Sequence, residues 1–163
     1  MSGEGGGTVA VEVGLLTVAE WPWLVSRSAA TAWAHVDPAL RDRVNPQAVA
    51  ARVEQNLRAL LTRPGSAALV ARAGGAAAGY LVVALVPDEL TGLPVGLFYD
   101  IFVEPAYRGT GVSHRLTAAG EAHCRAWGAS LVRRYIDPGN EPSLRHALRE
   151  GCRIDRLSPV KVL

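Results

Sequence analysis

The stretch Leu97–Leu116, LFYDIFVEPAYRGTGVSHRL, decides the fold. Its first seven residues, Leu97 to Val103, are apolar apart from Tyr99 and Asp100 and rich in aromatic and β-branched side chains, which predicts a buried strand. Pro105 ends the strand, because proline has no N–H to give to a sheet ladder. Arg108-Gly109-Thr110-Gly111 then forms a glycine-rich turn, and a helical pattern starts at Val112. A strand, a glycine turn and a helix N-terminus in that order make an anion site. Glycine lets the backbone approach a ligand with positive φ, and the unpaired N–H groups of the first helical turn point at it.

Three phosphate-binding motifs compete for such a turn. A Walker loop needs Gly-Lys-Ser/Thr, but Lys161 is the only lysine in the chain. A dinucleotide fingerprint needs a third glycine, and His114 stands at that position. The remaining pattern is Val103-x-Pro105-x-x-Arg108-Gly109-Thr110-Gly111-Val112-Ser113, followed by Leu116. It resembles the acetyl-CoA signature of the GNAT superfamily of N-acetyltransferases, Q/R-x-x-G-x-G/A, with Ser113 where that family prefers glycine or alanine. A second segment, Asn140-Glu141-Pro142-Ser143-Leu144, resembles the N-E-P-S-[IL] motif of the diamine (spermidine/spermine-type) branch of the same superfamily.

Outward from the central stretch, the elements follow from local signals. Thr8–Leu15 alternates as a first strand. Thr17 and Glu20 form a capping-box pair before a helix reaching about His35, which Asp37-Pro38 ends. Asn45-Pro46 opens a helix to about Arg63. Ala67–Ala73 and Ala76–Val86 flank Gly74-Gly75 as a hairpin, and Pro87–Pro94 is a loop. The helix after the glycine turn runs to about Trp127; Ser130–Ile136 is a fifth strand. Asn140 or Ser143 caps a helix to Glu150, and Arg153–Leu157 and Val160–Leu163 make a final strand pair.

This order matches the GNAT arrangement from about residue 9 to 163, behind a glycine-rich leader over residues 1–8. The resemblance implies an α/β (α+β) fold in one domain. Its mixed, mostly antiparallel sheet has six to seven strands and is wrapped by about four helices, with strands 4 and 5 splayed around acetyl-CoA.

Composition narrows the partners. The net charge of +2 comes from scattered residues, so no basic stripe suggests nucleic acid. No apolar run approaches the ~20 residues of a membrane span. Two cysteines without a secretory pattern predict a reduced, cytoplasmic protein, and no metal-ligand spacing is present.

The resemblance also implies roles. Backbone groups of Phe102 and Val103 would hold the pantetheine arm and face the thioester carbonyl, and Arg108, Gly109, Thr110, Gly111, Val112 and Ser113 would hold the pyrophosphate. Asn140 and Ser143 would lie beside CoA; as residue types they equally suit a helix cap. The diamine branch places a tyrosine seven residues after that asparagine to protonate the CoA thiolate, and this chain has Ala147. His146 next to it reads as a solvated helical histidine. On the strand, the branch has Glu-Asp where this chain has Tyr99-Asp100. Strict alternation puts Tyr99 with Ile101 and Val103, and Asp100 on the other face with Phe102. Tyr99 would line the acceptor pocket or relay a proton. Asp100 would bind the ammonium or pair with an arginine.

Trp21, Trp23, Trp33 and Trp127 read as core anchors. The function implied is acetyl transfer from acetyl-CoA to a primary amine of a small molecule. The alternatives are a protein or peptide acceptor, or a CoA-binding sensor that has lost catalysis; homodimers are common in the family.

Overall fold

The computed structural model describes residues 10–162; the leader, the start of the first strand and Leu163 lie outside them. Five strands form one sheet in the order β1-β2-β3-β4-β5: β1 Val11–Leu15, β2 Ala67–Ala73, β3 Ala76–Pro87, β4 Pro94–Val103 and β5 Val132–Arg134. The first four are antiparallel neighbours, and β5 joins β4 in parallel. The helices are α1 Trp21–Ala34, α2 Pro38–Arg41, α3 Pro46–Leu61, α4 Val112–Ala126 and α5 Glu141–Arg149, with 3-10 turns at Val18–Glu20 and Pro105–Tyr107.

The caps read from the sequence are present. The Thr17 N–H donates to Glu20 Oε2 at 2.8 Å, and Asn45 Oδ1 accepts from the Ala48 N–H at 2.8 Å. Asp37-Pro38 opens the short α2 instead of only ending α1, with Asp37 Oδ1 accepting from the Ala39 N–H at 2.8 Å.

Each sheet face carries its own core. On one side α1 and α3 cover Val70, Tyr80 and Val82 with Leu24 and Leu57, all fully buried. On the other side α4 lays Val112, Leu116 and Cys124 over Leu81, Val83 and Phe98. Of the tryptophans, Trp21 and Trp23 pack against the first core. Trp127 is 53% exposed at the end of α4, beside His123 and Gly65 and outside both cores.

Among the described residues the sheet has five strands, not six or seven. Residues 152–162 form no ladder. Ion pairs hold this tail instead: Arg156 to Glu89 at 2.7 Å and Asp155 to Arg133 at 3.4 Å. Pro159 interrupts any pairing register, having no N–H to donate. No described helix is long and apolar enough to cross a membrane.

α4 lies close on the sheet because of Gly120. A Cβ there would collide with Leu81 and stand 2.9 Å from Phe98. Gly120→Val is therefore expected to destabilise by about 3 kcal/mol or more through overpacking. That lowers Tm by roughly 6–12 °C in a chain of this size, and thermal unfolding followed by circular dichroism would show it.

Candidate active site

The site begins where β4 and β5 part. Their parallel pairing joins only Gly96, Leu97 and Phe98 to Val132, Arg133 and Arg134. β5 then ends, so β4 from Tyr99 to Val103 has no neighbour on that edge. Beyond the open edge the Pro105–Tyr107 turn leads to α4. Gly109 and Gly111 have φ of +77° and +87°, as the turn requires, and a Cβ built on either would meet nothing within 4 Å. The first bond of the α4 ladder is Arg115 N–H to Gly111 C=O, and no side chain caps the helix. The N–H groups of Gly111, Val112 and Ser113 consequently have no acceptor within the helix, and the positive end of the helix lies behind them. Arg108, exposed, lies across the end of β4, its Nε donating to the Val103 carbonyl at 3.2 Å. Thr110 Oγ1 closes the turn on the Tyr107 carbonyl at 2.6 Å.

At the N-terminus of α5, Asn140 Oδ1 accepts from the Ser143 N–H at 3.3 Å, so Asn140 caps the helix. α5 returns to α4 through polar contacts. His146 Nε2 stands 3.5 Å from Thr117 Oγ1, and Glu150 takes His114 Nδ1 at 3.0 Å. At the foot of the split, the Arg134 guanidinium lies 4.9 Å over the Phe98 ring and reaches Thr117 Oγ1 at 3.4 Å, while its buried Nε has no partner. His146 is thus half-buried, not solvated. Burial, with the Arg134 charge beside it, pulls its pKa down against the opposing pull of Glu150, which keeps the imidazole neutral near pH 7. Ala147 is 3% exposed, so its position faces protein and offers no proton donor.

The opposite face of β4 holds the two candidates for proton transfer, and here alternation fails. Opposite Val82 and Val83 the register jumps from Asp100 to Phe98, leaving Tyr99 as the extra residue of a β-bulge. Phe98 and Ile101 both pack on the α4 side. Asp100 faces α1, and Tyr99 opens onto a cavity walled by α3. The bulge therefore brings Tyr99 and Asp100 to the same side, where alternation separated them.

Asp100 is paired with no arginine. Ser28 Oγ and Tyr80 Oη donate to its Oδ2 at 2.6 and 2.9 Å; Oδ1 accepts nothing from the described residues. Burial holds this carboxyl above the ordinary aspartate range, while the Ser28 and Tyr80 hydroxyls and the charge of His35 pull the other way. Burial and the neighbouring Asp100 push the Tyr80 phenol far up, so it acts only as a donor.

Next along the chain, Glu104 is claimed by Trp23 Nε1 at 2.8 Å and Arg27 Nε at 2.7 Å. Burial raises its pKa, but those two partners outweigh it, and the net shift is downward. The side chains of Phe102 and Val103 are core, Phe102 stacking on Tyr80 with centroids 5.7 Å apart. Ser28, Tyr80, Thr117 and Arg134 carry no local signal in the sequence; only the packing of distant elements reveals them.

Comparison with known proteins points to one family. Four curated proteins that match are mycothiol acetyltransferases. That of Thermomonospora curvata is 32% identical over 112 residues, covering 63% of this chain and 36% of the relative. That of Thermobispora bispora is 42% identical over 52 residues, covering 32% and 18%. The chain thus spans about a third or less of the length of the relatives it matches. A Pyrococcus furiosus structure superposes with a TM-score of 0.79 at 17% identity, covering 94% of this chain and 100% of the other. An aminoglycoside N-acetyltransferase in complex with CoA gives 0.70 at 19% identity, covering 99% of both chains. These structural likenesses speak for the fold. The profile of the acetyltransferase (GNAT) family matches residues 23–151, most of the sequence, and the chain belongs to that family.

Proposed function

We propose that this protein moves an acetyl group from acetyl-CoA to the primary amine of a small molecule, by direct attack in a ternary complex. The observation that carries this reading is the split between β4 and β5. It has unpaired helix N–H groups at its mouth and a carboxylate with one free oxygen on its far side. Acetyl-CoA supplies the acetyl group already activated as a thioester.

The chain's own groups divide the work. The N–H groups of Gly111, Val112 and Ser113, with the room above Gly109 and Thr110, would hold the pyrophosphate, and Arg108 adds positive charge beside it. The open edge of β4 would hold the arm, with a main-chain N–H at Phe102 or Val103 facing the carbonyl where negative charge develops. Asn140 and Ser143, at the start of α5, would lie beside CoA in the same gap. Asp100 Oδ1 would receive the ammonium, orient it and take its proton. Its raised pKa brings it nearer the working pH of a general base. Tyr99, beside it on the bulge, would line the acceptor cleft. Position 147 has nothing to give the departing thiolate. A thiolate leaves without help far more readily than an alkoxide, so this slows the step without forbidding it.

The Asn140–Leu144 likeness to the diamine branch supports a small amine acceptor, and the mycothiol acetyltransferase relatives support the same class. A buried alanine at position 147 favours one second reading, a CoA-binding sensor.

One experiment separates these readings: acetyl-CoA titration by calorimetry, then thiol release with a mixed panel of small amines and peptides. Binding followed by release with small amines is the expected result. Binding with no release from any amine would establish the sensor instead. Release with peptides alone would move the acceptor to a protein. Absence of binding would overturn the proposal.

A further inference from the structure

The charge around the acceptor cleft narrows the substrate, provided that the protein is an acetyltransferase acting on amines. Tyr99 opens onto a cavity of about 280 Å³ whose other walls are Asn56, Ala59, Leu60 and Arg63, from α3 and the residues just after it. No carboxylate lines this cavity. Arg63 forms no ion pair among the described residues, whereas Arg58, on the same helix, is held by Glu54 at 2.6 Å. Three nearby carboxylates are each held through one oxygen. Glu54 also takes Trp21 Nε1 at 3.4 Å, Glu104 is held by Trp23 and Arg27, and Asp37 caps α2. Asp100, beside Tyr99 on the same side of the sheet, offers Oδ1, which accepts nothing from the described residues. The Arg63 guanidinium and the Asn56 amide line the cavity onto which Tyr99 opens.

We infer that the acceptor is a small primary amine that also carries an acidic group, a carboxylate or a phosphate. Its ammonium meets Asp100, its apolar middle lies along Tyr99, Ala59 and Leu60, and its anion is taken by Arg63 and Asn56. The planar guanidinium fork suits either anion, since both present paired oxygens at matching spacing. A diamine would place its second ammonium against Arg63 with no carboxylate to receive it. Charge repulsion thus selects against polycationic acceptors as firmly as the guanidinium selects for acidic ones.

The test compares amines of one length that differ only at the far end: 5-aminopentanoate, pentylamine and 1,5-diaminopentane, with 2-aminoethyl phosphate as the phosphate arm. Thiol release from acetyl-CoA gives kcat and KM for each. A charge-assisted hydrogen bond to a guanidinium predicts a kcat/KM about 10- to 100-fold higher for the acidic amines than for pentylamine, carried by KM. The diamine should be the poorest. Whichever of the carboxylate and the phosphate is preferred identifies the anion.

Arg63→Glu should reverse the order, lowering kcat/KM for the acidic amines and raising it for the diamine. Calorimetric affinity for acetyl-CoA and the Tm should stay as in the parent, because Arg63 is exposed and distant in sequence from the glycine turn. A diamine preferred over the acidic amines overturns the inference. So does an Arg63→Glu variant with the parent's order, or failure of every acidic amine to react while acetyl-CoA binds. Loss of acetyl-CoA binding in the parent protein would instead sink the acetyl-transfer reading itself.

Discussion

Asp100→Asn is expected to lower kcat/KM for amine acetylation by about 100- to 1,000-fold, the range of a general base, and to leave the Tm no lower than the parent's. The two halves of this prediction share one cause. Burial holds the Asp100 carboxyl above its ordinary value, so the folded chain keeps that proton to higher pH than the unfolded chain does. The favourable contribution is present at acid pH and is lost as pH rises from the ordinary aspartate value through the raised one. Above that window the ionised carboxylate costs stability, because its desolvation is only partly offset by the Ser28 and Tyr80 hydroxyls. Asparagine removes the charge and keeps an oxygen that can accept both hydroxyls. The proposed base must be ionised to take the proton, so parent kcat/KM should fall as pH drops through the raised value. Thermal melts at pH 8 and a pH–rate profile of both proteins check this. A variant retaining more than a tenth of parental kcat/KM would remove Asp100 from the proton path.

The role of Asp100 shows where the sequence stops being informative. The glycine turn is a local device. Gly109 and Gly111 sit at positive φ where any other residue is strained, so their spacing is written in the chain itself. Caps are equally local, and Asn45 and Asn140 each hold the N–H three residues on. The bulge at Tyr99 is different. It depends on how β3 pairs with β4, with Asp100 opposite Val82 and Phe98 opposite Val83, and no property of Tyr99-Asp100 announces it. A one-residue insertion turns every later residue of the strand to the other face, which is why strict alternation misassigns the pair.

Ser28 lies 72 residues from Asp100 in sequence, and only the packing of α1 on β4 brings them together. The tail errs the other way. Residues 153–157 and 160–163 alternate well enough to read as strands, yet a ladder needs a partner edge in register. Here charges to Arg133 and Glu89 govern the path of the chain.

The glycine turn supplies the other large effect. Gly111→Val is expected to weaken acetyl-CoA binding by at least about 100-fold, roughly 2.7 kcal/mol. Two contributions add. Valine at φ +87° is strained by about 1–2 kcal/mol, and its branched side chain would fill the open space at Gly111, beside the unpaired N–H groups of Gly111 to Ser113, where a pyrophosphate must approach.

Strain alone could weaken binding by loosening α4, and the opposite end of the same helix provides the control. Gly128 has φ +84° and likewise meets nothing within 4 Å of a built Cβ, but it follows the C-terminus of α4, far along the chain from the proposed phosphate cradle. Gly128→Val should carry a similar strain, lowering Tm by about 2–8 °C as Gly111→Val does, and should leave acetyl-CoA affinity unchanged. Calorimetry and thermal unfolding on both variants separate the two contributions. Equal loss of affinity in the pair would attribute the effect to helix stability; a parental affinity in Gly111→Val would mean that the α4 N-terminus does not hold the pyrophosphate.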